Sequence, residues 1–407
     1  MRANMHYKRF GCNVASMNGV NVLKSAIVIG PNNSGKTNFV RIVSDLKKFI
    51  FGKNDVWERN LFSSNPIVEI GVSFLENEKE YVFEFKYDTS KKEYIYERLS
   101  VVEGEGRKYA KEVDLILRDT IKLQYYIEGT DNSDALRYAS KGNILVYTGN
   151  ADVFPFLSEA KKILHGFASR IDVLNMNSIS ISKTIDMMKS SDDTNRKIAG
   201  FVKNADLFLE DYRYLNDAEA SVMYREHDIH HINGVEQIDT GSQDVLIEQM
   251  HLASVYKGIT LPSIFFDSSG TKKIAALASY IIDALEHGKI LVIDELDNGL
   301  HFRLTRSIIS MFNNDLNRCA QLIATVHDPS LLDCQTLFRK EQIWFTHKDL
   351  ENTYLYSLAE FKSDKDKVRE TSDLINKYWK GYFGAMPEPD LFSTLLEVTG
   401  NGKDSDN

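Results

Sequence analysis

Ala26-Ile27-Val28-Ile29 is an unbroken apolar run and reads as a strand. A short glycine-containing stretch follows. Phe39, Ile42, Val43, Leu46, Phe49 and Ile50 then recur at helical steps and predict a helix with one apolar stripe. Residues 1 to 29 read as the first strands of the same unit, with Gly19 near a turn. From 67 to 127 the period changes to two. Val68, Ile70, Val72 and Phe74 alternate, as do Tyr81, Phe83, Phe85 and Tyr87, with Asn77-Glu78-Lys79 as the hairpin turn between them. Ile95 to Leu99 and Leu123 to Ile127 extend this antiparallel region, and alternating lysines and glutamates imply one solvated face.

Helical spacing returns between 152 and 235. Phe156, Ile163, Leu164 and Phe167 predict one helix, and Ile198, Val202, Leu207, Phe208 and Leu209 another. Ser178 to Asn195 is rich in Ser, Asp and Asn and predicts interrupted helices. The late strands Ile290-Leu-Val-Ile293 and Leu322-Ile-Ala-Thr-Val326 look buried on both faces, with a helix bearing Leu304, Ile308, Ile309 and Phe312 between them. Gln342 to Thr346 and Tyr354 to Leu358 read as closing strands, and about 365 to 380 as a charged helix. The expected organisation is therefore α/β. Residues 1–150 carry the N-terminal part of a core with the antiparallel region, 151–243 an inserted, mainly helical subdomain, 244–396 the C-terminal part of the core, and 397–407 a flexible tail.

Composition narrows the setting. With 49 basic and 58 acidic residues the formal charge is -9, which argues against a bulk polyanion binder but leaves room for a local basic stripe. Cys12, Cys319 and Cys334 lie far apart and fit neither a disulfide scaffold nor a zinc site. No secretory signal and no membrane-length apolar stretch is evident, so a cytoplasmic protein without membrane contact is expected. His227, His230 and His231, beside Glu226 and Asp228, lack ordered ligand spacing and read as a solvated surface.

The chemistry sits at two strand ends. Gly30-Pro31-Asn32-Asn33-Ser34-Gly35-Lys36-Thr37 follows the first apolar strand and opens the first helix. Such a loop turns its N–H groups toward phosphate. Lys36 adds a point charge near the outer phosphates, Thr37 a hydroxyl for Mg²⁺, and the helix its positive end. This combination implies a bound nucleoside triphosphate. The second apolar strand ends in Asp294-Glu295. Paired carboxylates there are costly unless a cation and hydrogen bonds occupy them, which suits Asp294 to the metal and Glu295 to positioning the attacking water.

Asp294-Glu-Leu-Asp297-Asn-Gly-Leu-His301, the His327 of Ala324-Thr-Val-His-Asp-Pro and the stretch Asp267-Ser268-Ser-Gly270-Thr-Lys-Lys273 carry a more specific likeness. Together with the loop they resemble the ABC branch of P-loop ATPases, and most nearly the soluble AAA-named ATPases of the RecF/SMC-like superfamily found in prokaryotic abortive-infection, restriction-linked and anti-phage loci. The resemblance implies an ABC-type P-loop ATPase core with an antiparallel β region and an inserted helical subdomain. It assigns Asp294-Glu295 to Walker B, His327 to the switch histidine and Ser268 and Gly270 to the signature, with ATP and Mg²⁺ as ligands. Asp267 replaces the leucine that usually opens the signature and Thr271 its glutamine. In relatives the signature faces a triphosphate held by a second protomer, so at least a homodimer is implied, with Asp297 in the loop communicating across it. Lys272 and Lys273 read equally as phosphate or nucleic-acid contacts and as a solvated face. No counterpart of the cassette glutamine loop is found. The same resemblance implies an ATPase sensor holding or releasing a separately encoded effector, a nuclease among the candidates. The alternative is a RecF- or Rad50-like DNA repair ATPase, in which nucleic acid is the partner.

Overall fold

A computed structural model describes the chain except residues 5–8, 18, 54–55, 105–109, 130–154, 206–207, 227–246, 363–364, 367, 370, 387–389 and 401–407. The central element is a six-stranded sheet. It comprises β1 (Ser25–Ile29), β2 (Ile171–Asn175), β3 (Ile290–Asp294), β4 (Gln321–Val326), β5 (Ile343–Lys348) and β6 (Thr353–Ser357). Its spatial order is β6-β5-β1-β4-β3-β2. Every pairing is parallel except the β5–β6 hairpin at one edge. β1, which leads into the loop, and β3, which ends in the acidic pair, thus flank a single strand, β4, while most of the chain separates them in sequence.

The continuous apolar runs follow from cover on both faces. Ile27, Ile29, Leu291, Ile293, Leu322, Ala324 and Val326 point into one core with Ile308, Ile309 and Phe312, which lie on the helix Phe302–Phe312. Val292 and Ile171 point the other way, into a core shared with the helices Lys36–Ile50 and Pro155–Ser169 and with the antiparallel sheet. On the first helix Val40, Leu46, Phe49 and Ile50 are buried, whereas Ile42, expected in the stripe, is 51 % exposed. Successive helical residues differ by about 100° in direction, so Ile42 turns off the face that its neighbour Val43 helps to cover.

The antiparallel region is a five-stranded meander in chain order, Ile67–Glu76, Lys79–Asp88, Glu93–Glu103, Lys111–Asp119 and Gln124–Ile127. The fourth of these strands went unanticipated. Asn77 and Glu78 both have positive φ, 45° and 64°, and so form the two-residue hairpin loop, with Lys79 already in the next strand. The solvated face carries Arg98, which donates to Asp114 at 2.6 Å and Glu112 at 2.7 Å. The charge alternation is not complete, because Glu97 and Arg118 form a fully buried pair at 3.4 Å.

The span 151–243, expected as a helical insert, divides between layers. β2 within it completes the main sheet by pairing with β3, and Asp211–Tyr214 joins Leu252–Tyr256 and Ile259–Pro262 in a three-stranded sheet. Besides the helices Pro155–Ser169 and Asp217–Glu226, the span carries the pair Ser182–Ser190 and Asp192–Ala205, which breaks only at Ser191 despite its polar composition. Their residues Ile185, Met188, Ile198 and Val202 pack on Ala275, Ala278 and Ile282 of the helix Ser269–His287. The helix expected to run through Leu209 stops at Ala205; Phe208 is exposed, Leu209 is buried, and Leu207 lies outside the described residues. His227, His230 and His231 also lie outside them. The charged helix expected over 365–380 shortens to Leu374–Trp379, where Leu374 and Tyr378 are buried. The expected tail is helical as far as Gly400, in Leu391–Gly400. Among the described residues no helix is long and apolar enough to cross a membrane.

Candidate functional site

The carboxyl ends of parallel strands are where an open α/β sheet leaves a crevice for ligands. Here Gly30 leaves β1, Asp294 ends β3, His327 follows β4 and Asn175 ends β2, all on that one edge. Sequence separation of up to 297 residues, from Gly30 to His327, thus collapses into one site.

The loop after β1 is tight by construction. Asn33 and Gly35 have φ of 61° and 102°, and Ser34 shares a hydrogen bond of 2.6 Å with Thr346 of β5. A side chain at Gly30 has no room: a Cβ there meets the Thr346 hydroxyl and lies 2.7 Å from the Thr346 carbonyl oxygen. A Cβ at Gly35 falls against Thr353, 2.9 Å from its hydroxyl. The β5–β6 hairpin therefore clamps the loop. Gly30→Ala is accordingly expected to cost roughly 1–3 kcal/mol of stability, the range for overpacking. An unfolding midpoint equal to that of the parent would contradict this. Thr346→Ala should relieve the strain only in part, since the backbone carbonyl remains.

Lys36, buried, donates from Nζ to the carbonyls of Gly30 at 2.7 Å and Pro31 at 2.9 Å. Burial lowers its pKa, and the charges of Glu295, Asp294 and Asp297 oppose that shift. Asp294 accepts from Thr325 Oγ1 at 2.6 Å and from Asn175 Nδ2 at 3.1 Å. Thr37, Asp294 and Asn175 line one open pocket beside the first helix. A hydroxyl and a carboxylate facing a common space supply the oxygen donors that suit Mg²⁺, which retains waters and takes few protein ligands.

Glu295 has φ 57°, an unusual backbone for a non-glycine residue, held by its N–H donating to Thr325 Oγ1 at 2.8 Å. Its Oε2 accepts from Asn177 Nδ2 at 2.7 Å and Asn298 Nδ2 at 3.0 Å, and its Oε1 lies 3.6 Å from His327 Nε2. Burial works against the charged form, but hydrogen bonds from the two asparagines and the nearby His327 outweigh it and hold the carboxyl below its ordinary range. Asp297 Oδ2 accepts the backbone N–H groups of His327 and Asp328, each at 2.7 Å, so it fixes the turn after β4.

The stretch 267–273 sits at the other side of the Asp297 loop. Ser268 is exposed and caps the helix Ser269–His287, accepting from Thr271 N at 3.1 Å. A Cβ at Gly270 would stand 3.0 Å from the Gly299 carbonyl, so glycine permits this close approach. Lys272 donates to the Ile264 carbonyl at 2.8 Å and Lys273 to Asn298 Oδ1 at 2.8 Å. Both lysines thus brace the fold, a role that neither a phosphate contact nor a solvated face had suggested.

Asn175 and Asn177 were missed. They belong to a five-residue strand and its turn with no motif of their own, and only the pairing of Asp294 with Asn175 brings them to the carboxylates. Among the described residues no group of three or more His, Cys, Asp or Glu side chains forms a metal cluster.

Most of these residues fall within a known family's bounds. Residues 25–140 and 186–333 match the family model described as "AAA domain, putative AbiEii toxin, Type IV TA system". The matched segments contain the loop, the 267–273 stretch, Asp294 to Asp297 and His327, whereas Asn175 and Asn177 fall between them. No curated protein matches the chain. Among solved structures it is similar to an Smc head bound to the C-winged-helix domain of ScpA, at 12 % identity and TM-score 0.41 over 83 % of this chain and 92 % of that one. It is also similar to the SMC head domain from Thermotoga maritima, at 12 % identity and TM-score 0.39 over 85 % and 95 %. A third is the Smc head domain with an extended coiled coil, bound to the C-terminal domain of ScpA derived from Pyrococcus furiosus, at 12 % and 0.36 over 86 % and 96 %.

Proposed function

The chain belongs to the AAA-domain family described with the AbiEii toxin and type IV toxin–antitoxin systems, and from that premise we propose that it is a Mg-dependent ATPase whose two nucleotide sites are shared across a dimer. Family membership supports ATP binding and hydrolysis in general, and a nucleotide-binding regulatory role. The observation that carries the finer reading is the convergence of Lys36, Asp294, Glu295 and His327 on one sheet edge.

In this reading loop residues Gly30 to Thr37 cradle the phosphates through backbone N–H groups, and Lys36 turns its charge to the outer phosphates. Thr37 and Asp294 hold the metal, which when bound neutralises developing phosphate charge. Glu295 orients the attacking water, with Asn177 and Asn298 fixing its carboxylate. His327 meets the terminal phosphate. Ser268 and Gly270 present the amino end of their helix to the triphosphate of the second protomer, with Asp297 at the junction. The chain's parts under this proposal are an ATPase core interrupted by the 182–205 helical pair.

The energy of this cycle would serve a separately encoded effector, or a RecF- or Rad50-like DNA clamp. Turnover measured with and without double-stranded DNA at low salt separates them. Stimulation that falls steeply with salt selects the clamp, and indifference selects the effector.

The shared site has its own test. Lys36→Ala and Ser268→Arg, each inactive alone, place both lesions at one composite site of a mixed dimer and leave the other intact. Turnover should therefore return, up to about half the parental value per mixed dimer, because a complete site again binds its transition state. Nucleotide trapping is measured alongside, since strict coupling of the sites would mask turnover. If subunits exchange and neither signal rises, the cross-protomer role of Ser268 is wrong.

A further inference from the structure

Asp267 stands where related signatures carry a leucine, next to the serine that would face a triphosphate. A carboxylate there ought to repel the ligand. The structure removes the conflict. Asp267 is only 6 % exposed although Ser268 beside it is exposed, and its carboxylate is turned inward onto hydroxyl groups. Oδ2 accepts from Ser254 Oγ at 2.7 Å and Ser263 Oγ at 2.5 Å, and Oδ1 accepts from Tyr256 Oη at 3.0 Å. Behind them Tyr212 Oη lies 3.4 Å from Ser263 Oγ. Burial raises the pKa of Asp267, and the three hydroxyls pull against that shift.

The donors come from one small unit. Ser254 and Tyr256, two residues apart, share a face of the middle strand of the three-stranded sheet, and Ser263 begins the turn that leads out of it. The body of the helix Ser269–His287 is held by apolar packing of Ala276, Leu277 and Ile281 in the main core and of Ala275, Ala278 and Ile282 against the helical pair, and by Thr184 Oγ1, which donates to the Ala275 carbonyl at 2.9 Å. Those contacts lie along the body of the helix, whereas the three converging hydrogen bonds to the buried Asp267 carboxylate fix the position of its amino end.

We propose that Asp267 is a positioning residue for the composite nucleotide site: through the hydroxyl clamp of Ser254, Tyr256 and Ser263 it seats the amino end of the signature helix on the three-stranded sheet. The proposal rests on the reading that Ser268 serves the opposite protomer's nucleotide. It adds that the sheet formed by Asp211–Tyr214, Leu252–Tyr256 and Ile259–Pro262 is the platform from which Ser268 acts, so a change in that sheet reaches the partner's site.

Asp267→Ala leaves the phosphate loop untouched. Its Mg-ATP affinity by calorimetry under monomeric conditions should stay within about twofold of the parent, while turnover falls at least about tenfold, as expected for a misplaced reacting partner. Asp267→Asn keeps an acceptor oxygen and should restore most of the turnover. Mixing Asp267→Ala with Lys36→Ala should restore activity, because the intact site of the mixed dimer uses the signature of the other chain. Should Asp267→Ala fail to fold, Ser254→Ala/Ser263→Ala, which removes two clamps and keeps the carboxylate, takes its place in each measurement. Normal turnover, lost ATP affinity, or no recovery on mixing where Lys36→Ala with Ser268→Arg does recover would overturn the positioning role alone. No recovery in either mixture, with exchange confirmed, removes the shared site and the proposal with it.

Discussion

Lys36→Ala is expected to eliminate measurable Mg-ATP binding in titration calorimetry. The side chain is buried, and its ammonium bridges the carbonyls of Gly30 and Pro31 across the turn that is to receive phosphate. Glu295, Asp294 and Asp297 all bear on its charge. With the ammonium gone, the triphosphate meets three carboxylates and no fixed cation from the loop. Removing one partner of a buried charge pair costs roughly 3–5 kcal/mol, or about 10²–10⁴ in affinity, which takes a micromolar ligand out of range. The helix itself should survive, because its stability comes from Val40, Leu46, Phe49 and Ile50 in the core. A folded variant with parental affinity would sink the assignment of residues 30 to 37.

Those residues stand out in the sequence because the chemistry proposed for them is local. Two glycines, a lysine and a threonine fall within one turn, and the apolar strand before them and helix after them lie beside them in the chain. Asp294-Glu295 was readable for a similar reason, since two acids closing an unbroken apolar run carry a desolvation cost that a bound cation offsets. Asn175 and Asn177 carry no such mark. Their strand is short, and its place comes from pairing with β3, more than a hundred residues later in the chain. The partners of Asp267 were nearer at hand, as Ser254 and Tyr256 alternate ahead of it, but only the fold turns that face toward the carboxylate. The charged helix over 365–380 was overread. Charge favours a solvated helix, yet the helix that forms there is the short one whose Leu374 and Tyr378 are buried in the core.

Glu295→Gln is expected to bind Mg-ATP and hydrolyse it at least about 10²-fold more slowly, the lower range for losing positioned acid–base assistance. The substitution is nearly isosteric. Its amide can turn so that the remaining oxygen still accepts from Asn177 and Asn298, as Oε2 of Glu295 does now. Asp294 keeps its own bonds to Thr325 and Asn175, so the metal donors are undisturbed. What disappears is the negative charge proposed to face the attacking water. The lowered pKa of Glu295 sharpens the expected role. A carboxylate held below its ordinary range stays charged at neutral pH, the form needed to orient and polarise an attacking water. The sign follows: Glu295 stays ionised above its lowered pKa, so its contribution should persist on acidification to below the ordinary glutamate value of about 4.3, and be lost only there. Binding by calorimetry and phosphate release by highly purified protein check the two halves. Near-parental turnover would exclude Glu295 from the water's side of the site, whereas lost binding would place it with Asp294 in holding the nucleotide.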